Sequence, residues 1–354
     1  MLEPALRSVL DQTYQNLEIV FVDNNSDDGS LERAREIAAR SARRIQITRC
    51  EEQGANRARN HGYELARGDY VQWLDADDWL GRDKIERQVA LLEEDGRCCI
   101  AYCDWLSRRH VGKARPIETL FPLADVDDQI ERILAQIWYP LHAYLIRRDA
   151  AERLQQERGW WPDRRVGTDV EYSALAALLG QSFRHVKGAL VGYNTWSKTQ
   201  ISGRDTPYTL RAASFRDIYR RLKELTKRPD VAPRITAQHR LLLNQDWNVW
   251  SLPRDSVDLT RGKGRKITVR NRATGRTANL RPREAEFIEA MIRAGPELAI
   301  AHLALVIAAR PPYHPYRSDE LVQIVETLEN LRRCGILTMV TALEPAFGGD
   351  GPKA

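Results

Sequence analysis

Gly68-Asp69-Tyr70-Val71-Gln72-Trp73-Leu74-Asp75-Ala76-Asp77-Asp78-Trp79 carries an apolar strand directly into three carboxylates. The carboxyl ends of strands are where open α/β sheets bind ligands. Three acids within four residues repel one another unless something positive sits among them, and a divalent cation carrying a diphosphate meets that need. The stretch therefore points to nucleotide-sugar chemistry. An ordinary acidic turn after a strand is the plainer alternative, and the flanking segments decide between the two.

Upstream, Leu2, Ala5, Leu6, Val9 and Leu10 fall on one helical face. An apolar strand over residues 17–22 then ends in Asp23-Asn24-Asn25-Ser26-Asp27-Asp28-Gly29-Ser30. Ser26, Asp27 and Ser30 are good helix caps, so this acidic turn can start a helix as well as face a ligand. A helix over 31–40, a strand over 45–48, a polar loop with Gly54 and a helix over 56–66 lead to the strand at 70–74. Such alternation predicts a mostly parallel α/β sheet with helices on both faces. Downstream, Cys98-Cys99-Ile100-Ala101-Tyr102-Cys103 reads as a buried strand, followed by a strand over 141–146 and a helix from Gly167 through Leu179.

A chain of 354 residues has room for a domain of about 200 to 250 residues and a smaller one. With 43% hydrophobic and 29% charged residues it has the composition of a globular protein. No run approaches the roughly 18 apolar residues that span a bilayer; residues 298–309 come nearest and are broken by His302. The five cysteines are too irregularly spaced for a disulfide framework or a zinc site. With no signal-peptide pattern at the N-terminus, a reducing cytoplasm is the expected location.

Four motifs occur in order: residues 5–14 (Ala-Leu-Arg-Ser-Val-Leu-Asp-Gln-Thr-Tyr), Val22-Asp23-Asn24-Asn25-Ser26, Ala58-Arg59-Asn60-His61-Gly62 and Leu74-Asp75-Ala76-Asp77-Asp78. Together they resemble the family 2 glycosyltransferases of GT-A fold, over about residues 1–205. The resemblance implies an inverting, metal-dependent transferase of hexosyltransferase type, with a nucleotide sugar, expected to be a UDP-sugar, as donor. It implies that Asp23 and Asn24 hold the nucleobase and ribose, although Asn24 stands where a second Asp is more frequent, which loosens the preference for uracil. By the same resemblance Asp75 contacts the ribose and Asp77 coordinates Mn²⁺ or Mg²⁺, while Asp78 tunes its neighbours or caps the next helix. Arg59 suits a base or phosphate contact with its planar fork, or a surface salt bridge.

Gly167-Thr168-Asp169 is similar to the family's Gly-Glu-Asp acceptor motif, with Thr168 in place of Glu. That makes Asp169 the candidate general base, against the alternative of a helix N-terminal acid. Glu171 is the second candidate. Trp160 and Trp161 are candidates for an acceptor-facing wall, with core packing as an equal reading. Tyr193-Asn194-Thr195-Trp196-Ser197 is similar to a closing loop, with Trp196 where some members carry a metal-binding His. Family members also begin with a strand and a short turn ahead of the helix that opens this chain. Either the true start lies upstream of Met1 or the chain has found a substitute. A sheet lacking that strand leaves backbone groups unpaired, each costing on the order of 1–3 kcal/mol when buried.

Beyond residue 205 the expectations are a helical extension over 206–260, a winged-helix-like domain over 261–345 and a disordered tail over 346–354. The basic, glycine-rich run at 261–266 reads as a linker. Residues 267–270 and 277–280 form a hairpin pattern through Thr274-Gly275, followed by helices over 283–292, 297–309 and 319–333 and a short strand at 335–337. This plan resembles the peptide-recognition domains of peptide-modifying enzymes, and Arg270, Arg272, Arg276, Arg281 and Arg283 make it basic. Strand addition of a peptide acceptor, DNA binding and plain structural support are its three readings, with nucleic acid the least favoured. For the whole chain, a transferase of polysaccharide or cell-surface glycan and a non-catalytic nucleotide-sugar binder are the alternatives.

Overall fold

A computed structural model describes residues 2–110, 115–121, 125–134, 139–195, 208–244, 249–251, 257–261, 267–272, 275–280, 297–299 and 338–340. Chain contacts divide it into two units: Met1–Ile133 with Ile137–Asp205 and Leu225–Arg234, and Leu134–Gln136 with Thr206–Glu224 and Ile235–Ala354.

In the first unit the amphipathic pattern at the N-terminus becomes α1 (Leu2–Leu10), which buries Leu2, Ala5 and Leu6. The strand and helix that follow are β1 (Ile19–Asp23) and α2 (Ser30–Arg40), and β2 (Ile45–Arg49) pairs parallel with β1 from Ile19↔Ile45 to Asp23↔Arg49. Leu2, Leu6 and Ala34 form a small core there with Phe21, Ile37 and Ile47. Next come α3 (Ala55–Leu65), β3 (Tyr70–Val71), β4 (Trp79–Leu80), α4 (Lys84–Glu94), β5 (Ile100–Arg109), β6 (Ile117–Phe121) and α5 (Gln129–Leu134). A 3₁₀ turn at Leu141–Ala143, β7 (Leu145–Arg147), α6 (Arg148–Gln156), α7 (Thr168–Leu178) and β8 (Phe183–Thr195) complete the unit's main elements. As the sequence suggested, Cys98 and Cys103 are buried in and beside β5 as free thiols.

The main sheet runs β3-β7-β5-β8-β4, with β6 on β5. It is mixed, not mostly parallel. Among the described residues β5·β8 is its one parallel pair; β3·β7, β5·β7, β4·β8 and β5·β6 are antiparallel. The expected alternation counted only strands joined by helical crossovers, which parallel pairing requires. The short strands β4 and β6 return without a crossover. The strand expected over 141–146 likewise divides into the 3₁₀ turn and β7. α7 is buried on almost every side, from Val170 through Leu178, so it is a core helix of the unit.

Trp79 pairs with Gly192 across β4·β8, and its indole occupies the place that a side chain at 192 would need. Gly192→Ala is therefore expected to destabilise the unit by about 1–3 kcal/mol, the usual cost of overpacking, read as a lower midpoint in thermal unfolding. An unchanged midpoint would show that the indole moves aside freely.

β1 pairs only with β2, and β3 only with β7, among the described residues. A cavity of about 690 Å³ lies between them, bordered by residues 17–22 and 66–76.

The second unit contains most of α8 (Tyr208–Leu225), which buries Ile218, Tyr219 and Leu222, and α9 (Ala237–Leu243). β9 (Val249–Ser251) is flanked by β13 (Glu297–Ala299) and β14 (Thr338–Val340), both antiparallel. β10 (Val257–Arg261), β11 (Ile267–Asn271) and β12 (Thr277–Leu280) form an antiparallel meander, in which β11 and β12 are the hairpin read from the sequence. Glu297–Ala299 is a strand rather than the start of a helix, because Leu298 pairs with Trp250 in β9 and a ladder competes with helical bonding. The expected helices over 283–292 and 319–333, the strand at 335–337, the linker residues 262–266 and the tail lie outside the described residues, as does Trp196. Among the described residues no helix is long and apolar enough to cross a membrane.

Candidate active site

The acidic turn is held in place by neighbours far away in sequence. Within it, the Asp78 amide donates to the Asp75 carbonyl at 3.1 Å. Asp78 is buried, and its Oδ1 accepts from the Asn194 amide at 2.7 Å, while Asn194 Nδ2 donates to the Asp77 carbonyl at 2.6 Å. His142 faces the other oxygen, its Nδ1 lying 3.3 Å from Asp78 Oδ2. Its Nε2 lies 3.0 Å from the Gly192 carbonyl, which only accepts, so Nε2 carries the hydrogen. In a neutral ring Nδ1 is then bare, and a proton between the two groups belongs to Asp78. Burial, reinforced by the charge of Asp77, raises the Asp78 carboxyl well above the usual range, and burial lowers His142, in agreement with that assignment. Asp78 therefore pins the turn to β8 instead of meeting a ligand.

Arg59, on α3, is the positive centre. Its Nη2 lies 2.7 Å from Asp75 Oδ1, its Nη1 donates to Asn56 Oδ1 at 2.9 Å, and its guanidinium stands 4.7 Å over the Trp160 ring. Burial works against its charge, but the carboxylates of Asp75 and Asp169 outweigh burial and hold the proton more tightly. Asp75 feels the same contest: its crowded setting opposes ionisation, yet Arg59 brings it below the ordinary carboxylate range. Its side chain remains 46% exposed, so a ligand can reach it. Asp77 has no such relief, and burial together with the charge of Asp75 raises it.

Asp169 sits in the first turn of α7, after Gly167, whose φ of 76° opens the helix from the left-handed region. Thr168 Oγ1 donates to Asp169 Oδ1 at 3.0 Å. Burial raises the carboxyl, with Arg59 pulling it down and Asp75 pushing it up. One guanidinium thus serves Asp75 and Asp169, leaving an excess of negative charge centred on Asp77.

That excess is where a cation fits. Among the described residues no three His, Cys, Asp or Glu side chains form a complete metal cage. Mg²⁺ and similar hard cations are often bound instead by one or two carboxylates and completed by substrate phosphates and water. Asp77 offers one such carboxylate, with the charge of Asp75 close enough to be felt.

At the end of β1, Asp23 is 1% exposed and neither of its carboxylate oxygens accepts a hydrogen bond; Arg49 Nε stands 3.7 Å away. A buried carboxylate in that condition is suited to an incoming N–H donor. Asn24 is differently occupied. Its Nδ2 donates to the Cys50 and Glu52 carbonyls at 3.0 and 2.7 Å, and its Oδ1 accepts from the Gly54 amide at 2.7 Å. The amide is spent on shaping loop 50–54, so the sequence expectation of a ligand contact from Asn24 gives way to a positioning role.

The acceptor-side expectations also change. Glu171 is buried against Arg164, with Nε–Oε2 at 2.9 Å and Nη2–Oε1 at 3.3 Å, so it braces the segment ahead of α7 from inside. Trp160, 1% exposed, stacks on Tyr172 at 4.1 Å and meets Trp73 edge-on at 5.5 Å, which makes it a core residue. Trp161 alone of the three is partly exposed, with Arg158 5.5 Å over its ring. Two residues that sequence reasoning assigned no role hold this segment: Asn56 Nδ2 donates to the Trp161 carbonyl at 2.7 Å and Asn60 Nδ2 to that of Trp160 at 2.9 Å. Their four-residue spacing on α3 was the available signal. Nothing local marked His142.

Residues 1–140 match the model of Glycosyl transferase family 2 and carry a domain of that family. An uncharacterized glycosyltransferase of Haemophilus influenzae is 39% identical over 88 residues, which are 25% of this chain and 35% of that protein. The putative teichuronic acid biosynthesis glycosyltransferase TuaG of Bacillus subtilis is 37% identical over 94 residues, 26% of this chain and 37% of that one. The matched part thus spans little more than a third of these relatives. The crystal structure of S. aureus TarS in complex with UDP-GlcNAc is similar at a TM-score of 0.48 and 15% identity, covering 62% of each chain.

Proposed function

We propose that this chain, with its family 2 glycosyltransferase domain, moves a sugar from a nucleotide sugar to an acceptor hydroxyl in one inverting displacement. The observation that carries the reading is the site around Arg59: two carboxylates, Asp75 and Asp169, share its charge, while burial and the charge of Asp75 raise Asp77 beside them. Asp23 accepts from the nucleobase, for which uracil is the first choice, and Asp75 accepts from a ribose hydroxyl. Arg59 keeps Asp75 oriented and sets positive charge at the diphosphate. Asp169, raised by burial, takes the proton from the acceptor hydroxyl as it attacks, which is the work of a base tuned toward neutral pH. Mn²⁺ or Mg²⁺ held at Asp77 would supply Lewis-acid stabilisation of the departing diphosphate.

For the acceptor, the antiparallel meander β10-β11-β12 supports a peptide recruited by strand addition. A cell-surface glycan is the second reading, favoured by the name that TuaG carries.

Calorimetric titration of UDP with Mn²⁺ into the protein and into Asp77→Ala tests the donor half. Binding in the parent that weakens at least tenfold in the variant is expected, in line with the loss on removing a group that a metal site depends on. A parent that binds no nucleoside diphosphate would sink the proposal, and binding without turnover on any acceptor would favour the non-catalytic alternative.

A further inference from the structure

α4 opens with Lys84 and carries Gln88 one turn further on, so the two side chains fall on one helical face. Both are fully buried, which is rare for a lysine unless it is paired. The acceptors that Lys84 meets are neutral: its Nζ donates to Gln72 Oε1 and, at 3.4 Å, to the Tyr144 carbonyl. Burial pushes the amine down to about 7. An ammonium buried against neutral oxygens costs stability, and methionine, of similar length, would fill the space without that cost. The lysine is explained by what it holds.

The last carbonyls of a short helical turn have no partners within it. At the 3₁₀ turn Leu141–Ala143, three consecutive carbonyls are met by side chains: that of His142 by Gln72 Nε2 at 3.0 Å, that of Ala143 by Gln88 Nε2 at 2.9 Å and that of Tyr144 by Lys84. Gln72 Nε2 also donates to the Trp73 carbonyl at 2.6 Å. Carbonyls only accept, so the amide must turn its nitrogen toward them and its oxygen away. That oxygen then faces Lys84, whose ammonium has only hydrogens to offer. Lys84 therefore decides which way round the Gln72 amide sits.

We infer that Lys84 is a positioning residue for the acidic turn: through Gln72 and the 141–144 segment it holds His142 against Asp78, and so fixes the backbone that presents Asp75 and Asp77. On one side of this clamp Gln72 belongs to the segment that runs into Asp75. On the other, His142 Nδ1 lies 3.3 Å from Asp78 Oδ2. What the turn binds rests on the donor reading proposed above; the clamp itself does not.

Lys84→Met removes the donors and keeps the bulk. In the unliganded full chain, hydrogen exchange should quicken about tenfold at the Asp78 amide, which donates to the Asp75 carbonyl, and at the Asn194 amide, which donates to Asp78 Oδ1. The Kd for UDP with Mn²⁺ should rise about tenfold, the lower end of what outer partners of a metal site contribute. The unfolding midpoint should stay at or above that of the parent, since a buried charge leaves with the amine. Gln72→Met should loosen the same amides, and the double variant no more than either, because the two residues act as one unit. Leu92→Ala, a truncation of a fully buried side chain on the same helix, is the control for lost stability and should lower the midpoint without quickening those amides. Parent-like exchange in Lys84→Met, additive effects in the double variant, or equal loosening by Leu92→Ala overturns the inference. A Lys84→Met that fails to fold would make the residue a general support and overturn it as well. Faster exchange at the turn in a protein that binds no nucleotide would sink the donor reading and leave the clamp standing.

Discussion

Asp169→Asn is expected to lower kcat by about 10²–10⁴-fold, the range contributed by a positioned general base, with donor affinity nearly unchanged. Asparagine keeps the shape of the side chain and an oxygen for the Thr168 hydroxyl, so the start of α7 is preserved. It cannot take a proton from the acceptor. The pH profile gives a second reading of the same group. Asp169 must be ionised to act, and burial lifts its carboxyl above the ordinary aspartate range. Activity in the parent should therefore fall, as pH is lowered, at a higher pH than a freely solvated aspartate would impose, and Asp169→Asn should abolish that limb. Calorimetry with UDP and Mn²⁺ separates the chemistry from the fold. A variant that binds the donor and retains full kcat would move the base elsewhere.

Arg164→Met alone is expected to destabilise the first unit by about 3–5 kcal/mol, because it strips Glu171 of its buried counter-charge. Replacing both residues, as Arg164→Met with Glu171→Met, should recover most of that loss, since the pair's desolvation disappears along with its attraction. Urea unfolding of the single and double variants measures the difference. A single variant within about 1 kcal/mol of the parent would mean that the pair is hydrated like a surface ion pair. The double variant also tests the reassignment of Glu171 from acceptor contact to internal brace. If it folds, it should bind nucleotide as the parent does.

Local periodicity made much of the first unit legible. The spacing of Leu2, Ala5, Leu6 and Val9, the apolar run before Asp23, and the amphipathic stretches over α2 and α3 each express a preference that a short segment holds by itself, whereas the strand expected over 70–74 is only Tyr70–Val71. The acidic turn was legible for the same reason, since three neighbouring carboxylates state their need for a positive partner without any structure. Sheet direction was not. β3, β4 and β7 are two or three residues long, too short for a pattern, and their partners lie up to about a hundred residues away.

The sequence thus determined which residues are candidates, while the tertiary structure decided which bonds each of them has already made. Asp23 and Asn24 are adjacent, yet one is left with free acceptors and the other is consumed by loop 50–54. Asp169 and Glu171 share the first turn of one helix, yet the first turns toward Arg59 and the second is sealed against Arg164. Asp77 and Asp78 are adjacent, yet it is the side chain of the second that Asn194 and His142, 116 and 64 positions further along the chain, claim. The physical reason is common to all three pairs. A side chain's type sets what bonds it can make, but whether those bonds are open to a ligand depends on which distant groups the fold has already brought against it.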